Sequence, residues 1–327
     1  MTDFTNAQPA QPAPTAPLRI IYMGTPDFAV ESLRRLVEGG YNVVAVVTMP
    51  DKPVGRHHDT LQPSPVKQYA LAHNLPVLQP EKLKDPDFLD RLRALRPDVG
   101  VVVAFRMLPE AVWAMPRLGT FNLHAALLPQ YRGAAPINWA IINGDNETGI
   151  TTFFLDHDID TGRVISQVRV PIHDTDDAEA VHDRLMLLGG DLVCQTIDDL
   201  QAGTVTAIDQ SELTTDRPLR PAPKIFKETC EMRWPDRDID AHHNFVRGLS
   251  PYPAAWTTLP DGRVMKIFRT EREHCAHTDN IGAFRTDGRS YIKVAVTGGY
   301  LHLTDIQIAG KKRMPVADFL RGAKLTF

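Results

Sequence analysis

Cysteine is scarce: this chain of 327 residues has only Cys194, Cys230 and Cys275, an odd number and widely spaced. That excludes a disulfide framework or a paired-cysteine metal knuckle and fits a reducing cytoplasm. No apolar run reaches the roughly 18 residues of a membrane-spanning helix. The GTPDF that follows the first apolar run is not GxGxxG, and no P-loop pattern occurs. Dehydrogenase and NTPase readings therefore lose their usual support. Ser64 and Ser166 lie in no nucleophile-elbow context. Residues 1–17 (MTDFTNAQPAQPAPTAP) lack the charged-then-apolar order of a secretion signal and read as a disordered leader. A positive balance is missing too, since the formal net charge is -4.

That total hides an asymmetry. Residues 1–206 carry 17 basic against 25 acidic side chains, and residues 207–327 carry 19 against 15. A mildly basic C-terminal third on an acidic body could meet a polyanion while the body does something else. With 43% hydrophobic and 23% charged residues, the chain is of ordinary globular composition, and its length suggests two domains.

From Leu18 onward, apolar runs alternate with amphipathic stretches. Leu18–Met23, Tyr41–Met49, Pro76–Gln79, Val99–Ala104, Thr120–His124, Gly149–Leu155 and Val164–Ile172 read as strands. Helices are expected near 28–37, 88–95 and 134–142 and over 177–202. Apolar runs without alternation suit strands buried on both faces, so an α/β, Rossmann-like, mostly parallel sheet is expected over 18–206. Residues 207–224 are polar, with three prolines between Asp209 and Lys224, and read as a linker. Over 225–327 a helix near 239–249 precedes short strand-like runs, which suggests a small OB-like β-barrel domain.

Three polar features stand out. Asn122 and His124 are two apart on one strand and so share a face, at the carboxyl end where open α/β sheets hold ligands. An Asn amide can donate to a developing oxyanion, and a His can do the same or shuttle a proton. The run DHDIDTG (156–162) follows a strand directly. It lacks the mid-loop glycine of hard-cation loops, so no metal is expected there. One of its carboxylates could instead meet His124 and fix the imidazole tautomer. Asp51–Lys67 (DKPVGRHHDTLQPSPVK) reads as a long polar loop whose Lys52, Arg56 and Lys67, with His57 and His58, could touch phosphates.

Together GTPDFAVESL, TMPDKPVGR, LQPSPVK, NLHAALLPQYRGAAPINWAI and DHDIDTG resemble the methionyl-tRNA formyltransferase family, as do FKETCEMRW, GLSPYPAAW and AGKKRM further on. The resemblance implies transfer of a formyl group from 10-formyltetrahydrofolate to the α-amino group of methionyl initiator tRNA, for translation initiation, by a cytoplasmic monomer without metal. By motif, Asn122, His124 and Asp160 match the catalytic residues and Ala126, Leu127, Leu128 and Pro129 the folate-binding turn. Arg56 and Lys67 on the long loop, with the basic run Lys311, Lys312 and Arg313, are the expected tRNA contacts. The chain departs from the family in having Ala126 where a serine is usual. Arg106 stands where a glycine is usual, and His57, His58 and Asp59 stand where lysines are common. A sugar-nucleotide N-formyltransferase shares the donor and the catalytic residues, but PSPVK and the C-terminal domain argue against it. Retention of all three catalytic residues argues against a tRNA-binding protein with a degenerate active site.

Overall fold

The computed structural model describes residues 16–54, 60–213, 215 and 217–322. Most of the leader, and Arg56, His57, His58 and Asp59, lie outside these. The chain divides into two compact units, one comprising Met1–Pro129, Ile150–Val168 and Arg184–Pro218, the other Gln130–Gly149, Arg169–Asp183 and Leu219–Phe327.

The elements begin β1 (Ile20–Gly24), α1 (Phe28–Glu38), β2 (Val43–Val47), β3 (Lys52–Val54), β4 (Thr60–Gln62), α2 (Pro65–Ala72), β5 (Val77–Leu78), α3 (Pro86–Ala94), β6 (Val99–Val103) and α4 (Glu110–Trp113). They continue with β7 (Thr120–His124), α5 (Pro136–Ile142), β8 (Glu147–Phe154), β9 (Val164–Pro171) and α6 (Ala178–Ala202). The sheet order is β5-β2-β1-β6-β7-β8-β9. Pairing is parallel from β5 through β7. The order reverses between β1 and β6, the kind of crevice where α/β sheets take their ligands. Strands β1 and β6 are buried throughout, which is why their sequences are apolar without alternation.

The long loop expected over 51–67 is partly regular. Strands β3 and β4 pair as an antiparallel hairpin, and the PSPVK segment starts a helix. Ser64 caps α2 by accepting from the Lys67 backbone N–H at 3.1 Å, with Pro65 in the first turn. Serine at the cap with proline next is a helix-start signal, and proline content had disguised it as loop.

The C-terminal elements are α7 (Ile239–Leu249), β10 (Ala255–Thr258), β11 (Val264–His274), β12 (Phe284–Thr286), β13 (Ile292–Val296), β14 (Gly299–Ile308), β15 (Met314–Pro315) and α8 (Val316–Gly322). The strands form an antiparallel sheet in the order β10-β11-β14-β13-β12, with β15 beside β14. This is the small β-rich architecture expected. Phe245, Leu249, Ile267, Val294, Leu301 and Phe319 are among the residues that fill its core.

The segment read as a linker is tied down. Ala222 bridges Gly133, donating to the Arg132 carbonyl at 2.8 Å and accepting from Ala134 N–H at 2.7 Å. A Cβ on Gly133 would lie 2.5 Å from the Ala222 oxygen, and its φ is +125°, so only glycine fits. Arg220 reaches Asp145 at 3.3 Å, and the Tyr131 hydroxyl donates to the same carboxylate at 2.8 Å.

Candidate active site

Strand β7 places Asn122 half-buried and His124 buried on one face near its carboxyl end. The His124 ring meets Phe153 edge to face, with centroids 6.3 Å apart. Its Nδ1 lies 4.0 Å from Asp160 Oδ2, an ion-pair distance rather than a hydrogen bond. Of the three carboxylates in the DHDIDTG loop, Asp160 is the one this geometry selects. Asp156 and Asp158 are exposed, and Asp156 accepts from the neighbouring His157 N–H at 2.7 Å. Among the described residues, no group of three or more His, Cys, Asp or Glu is arranged to hold a metal ion.

Asp160 does not reach His124 by a direct meeting of neighbouring strand ends. Strand β8 runs antiparallel to β7, pairing Phe121 with Phe154 and His124 with Thr151. The end of β8 therefore sits beside the start of β7, about 10 Å from His124 at 3.3 Å per residue. The loop after Phe154 must double back along the strand. Two features permit this. Asp160 adopts φ of +56°, and Gly162 passes so close that a Cβ there would fall 1.8 Å from the Phe154 carbonyl oxygen.

Turn residues Ala126, Leu128 and Pro129 are buried and Leu127 is half-buried. The turn is held from the adjoining strands by uncharged side chains. Thr151 Oγ1 donates to the Ala126 carbonyl at 2.6 Å and accepts from Leu128 N–H at 3.3 Å. Gln167 Nε2 donates to the Leu128 carbonyl at 2.8 Å and to Thr151 Oγ1 at 3.0 Å. Gln210 donates from Nε2 to the carbonyls of Asp160 at 2.9 Å and Gly162 at 2.8 Å. None of these three was among the residues singled out by motif. Thr151 faces His124 across the ladder, so a known pairing direction would have pointed to it; Gln210 lies in the apparent linker and gave no signal.

Arg106 turns its guanidinium onto the carbonyls of Pro80, at 2.5 Å, and Glu81, at 2.9 Å. Burial lowers its pKa from the ordinary arginine range, and its Nε is buried with no hydrogen-bond partner among the described residues.

Lys67, a candidate phosphate contact, pairs with Asp51 at 2.6 Å, and Asp51 also accepts from Gln79 at 2.8 Å. These partners hold the Asp51 carboxyl below its usual range. In the C-terminal run Lys311, Lys312 and Arg313 are all exposed, but Arg313 is bound to Asp305 at 2.6 Å and stacks over Phe268 at 4.4 Å.

Two family models match the chain, a formyl transferase domain over residues 18–197 and a formyl transferase C-terminal domain over 224–324. The methionyl-tRNA formyltransferase of Parabacteroides distasonis is 64% identical over 94% of this chain and 96% of its own length. That of Bacteroides thetaiotaomicron is 62% identical over 94% and 97%. Solved structures share the fold at low identity. A sugar 3N-formyl transferase, WlaRD, in the presence of dTDP and 5-N-formyl-THF matches with a TM-score of 0.63 at 17% identity, over 91% of this chain and 100% of that one. HypX from Aquifex aeolicus in complex with tetrahydrofolic acid matches with a TM-score of 0.61 at 17% identity, over 93% and 47%.

Proposed function

This chain belongs to the formyl transferase family, and from that premise we propose how its own residues carry out the reaction. The reaction is formylation of the α-amino group of methionyl initiator tRNA with 10-formyltetrahydrofolate as donor, which serves translation initiation. Asn122 and His124 donate hydrogen bonds to the oxygen of the formyl carbon as the amine attacks it and that oxygen gains negative charge. Asp160 faces His124 Nδ1 and orients the ring. The new C–N bond forms as the bond from the formyl carbon to the folate nitrogen breaks. The proton lost by the amine passes to solvent, and the folate nitrogen takes one up. An α-amino group has a pKa of about 8, so a useful fraction is neutral near pH 7, and positioning matters more than a strong base.

What supports this assignment is the 4.0 Å approach of Asp160 to His124 on the strand that carries Asn122. The buried turn Ala126–Pro129 receives the folate. On the acceptor side, tRNA engages the long loop that carries Arg56 and ends at Lys67, together with Lys311, Lys312 and Arg313. We assign catalysis to residues 18–206 and tRNA attraction to 225–327, joined by 207–224, in a cytoplasmic monomer. Among the described residues no helix is long and apolar enough to cross a membrane.

The test is single-turnover formylation of charged initiator tRNA against charged elongator tRNA. Losing one oxyanion donor through Asn122→Ala or His124→Ala should slow turnover by about a hundredfold or more, with little change in folate binding. Asp156→Asn and Asp158→Asn should stay near the wild-type rate. Near-normal rates for both alanine variants would remove the assignment.

A further inference from the structure

The doubled-back loop between β8 and β9 draws support from outside itself. Asp160 sits in the left-handed region at φ +56°, a backbone conformation that a residue with a Cβ seldom adopts. Its carbonyl and that of Gly162 need donors, because the ladder between β7 and β8 ends before them. One side chain supplies both. Gln210 is 4% exposed, and its single Nε2 bridges the two carbonyl oxygens at 2.9 and 2.8 Å. The residue is itself anchored on either side. Ile208 and Val164 exchange two backbone hydrogen bonds of 2.8 Å each, and Asp209 Oδ1 accepts from Ser211 N–H at 2.8 Å. The strap thus joins the apex of the loop to the strand by which the loop leaves.

We propose that Gln210 is a positioning residue for Asp160 and, through it, for the His124 ring; this rests on the catalytic reading of Asp160 given above. Gln210 acts on the backbone and touches neither substrate. The chemistry of the contact is specific to a carboxamide, since one nitrogen must offer two N–H groups to two carbonyls. Glutamate would set lone pairs against those oxygens at under 3 Å, methionine would fill the space without bonding, and asparagine falls one methylene short. Without the strap the loop can relax from its left-handed turn, and Asp160 withdraws from Nδ1.

The experiment is a cycle. Gln210→Met and Gln210→Asn are made in the wild type and in Asp160→Asn, and kcat, KM for each substrate and melting temperature are measured. In the wild type either change should lower kcat by roughly ten- to hundredfold, the scale of a misplacement of about 1 Å. KM for folate and for tRNA should stay within about twofold of wild type if only the Asp160 loop is displaced. In the Asp160→Asn background the same changes should leave kcat where it is, because the group being positioned has already lost its charge. Equal losses in both backgrounds, or a raised folate KM with unchanged kcat, would show that Gln210 merely supports the fold and would overturn the proposal. If methionine prevents folding, the asparagine variant keeps the carboxamide and decides the matter by the same criterion. If Asp160→Asn alone turns over as fast as wild type, the catalytic reading fails on its own account and this inference falls with it.

Discussion

Around His124 and Asp160 the uncharged side chains of Thr151, Gln167 and Gln210 hold backbone carbonyls, whereas two of the cationic side chains expected to meet tRNA, Lys67 and Arg313, are themselves held by carboxylates. The difference follows from burial. Near the carboxyl end of β7, an added charge would compete with Asp160 for the imidazole at low effective dielectric. A hydroxyl or carboxamide fixes backbone carbonyls without altering that field. At the partly exposed positions, an ion pair fixes a long side chain at little cost but partly neutralises it. Salt and pH should therefore act on these ion pairs and scarcely on the hydrogen bonds made by Thr151, Gln167 and Gln210.

The sharpest way to break the comparison is Gly162→Ala. The new methyl would collide with the Phe154 carbonyl, so the loop must open, and displacing Asp160 by about 1 Å or more should cost about a hundredfold in kcat. A near-normal rate would mean the doubled-back path is unimportant. Next is Thr151→Val, which leaves the Ala126 and Leu128 turn without its hydroxyl partner. Losing such contacts costs about 1–3 kcal/mol, so KM for folate should rise by roughly tenfold while KM for tRNA holds. Steady-state titration of each substrate checks this.

On the cationic side, neutralising Lys311 and Lys312 together should raise KM for tRNA and lower the salt slope by roughly one to two. Arg313→Gln should do less than either lysine, because Asp305 already balances its charge. Binding measured at two salt concentrations tests that ranking. Smallest is the Asp51–Lys67 pair. Lys67→Met should change KM for tRNA by less than about fivefold, the scale of a partly exposed ion pair. Since the folded Asp51 carboxyl lies below its usual range, its stabilisation is present above the ordinary carboxylate range and is lost as pH falls through the lower folded value. Melting temperatures recorded from neutral to acid pH should fall less steeply for Asp51→Asn than for wild type.

Much of this was legible in the sequence. Buried strands such as Val99–Val103 announce themselves by an unbroken run of valine around one glycine, with no polar residue, and Ile239–Leu249 shows its helical period outright. The spacing of Asn122 and His124 was enough to put them on one face. Less legible was the direction of β8, because an apolar strand reads alike whichever way it runs. The hairpin β3–β4 and helix α2 were hidden by their prolines, and strands as short as Met314–Pro315 carry too few residues for any period to register. Gln210 had no signal at all, since a polar residue in a proline-rich stretch looks the same whether it faces water or two buried carbonyls.

The reversed strand also makes the segment from Leu155 to Arg163 a ruler. Its job is to span a fixed return distance along β7 and deliver one carboxylate at its far mark. Exposed side chains such as Asp158 bear little on that mark, whereas an inserted or deleted residue changes the length of the return itself. The chemistry of this edge is thus written in the number of links as much as in their kind.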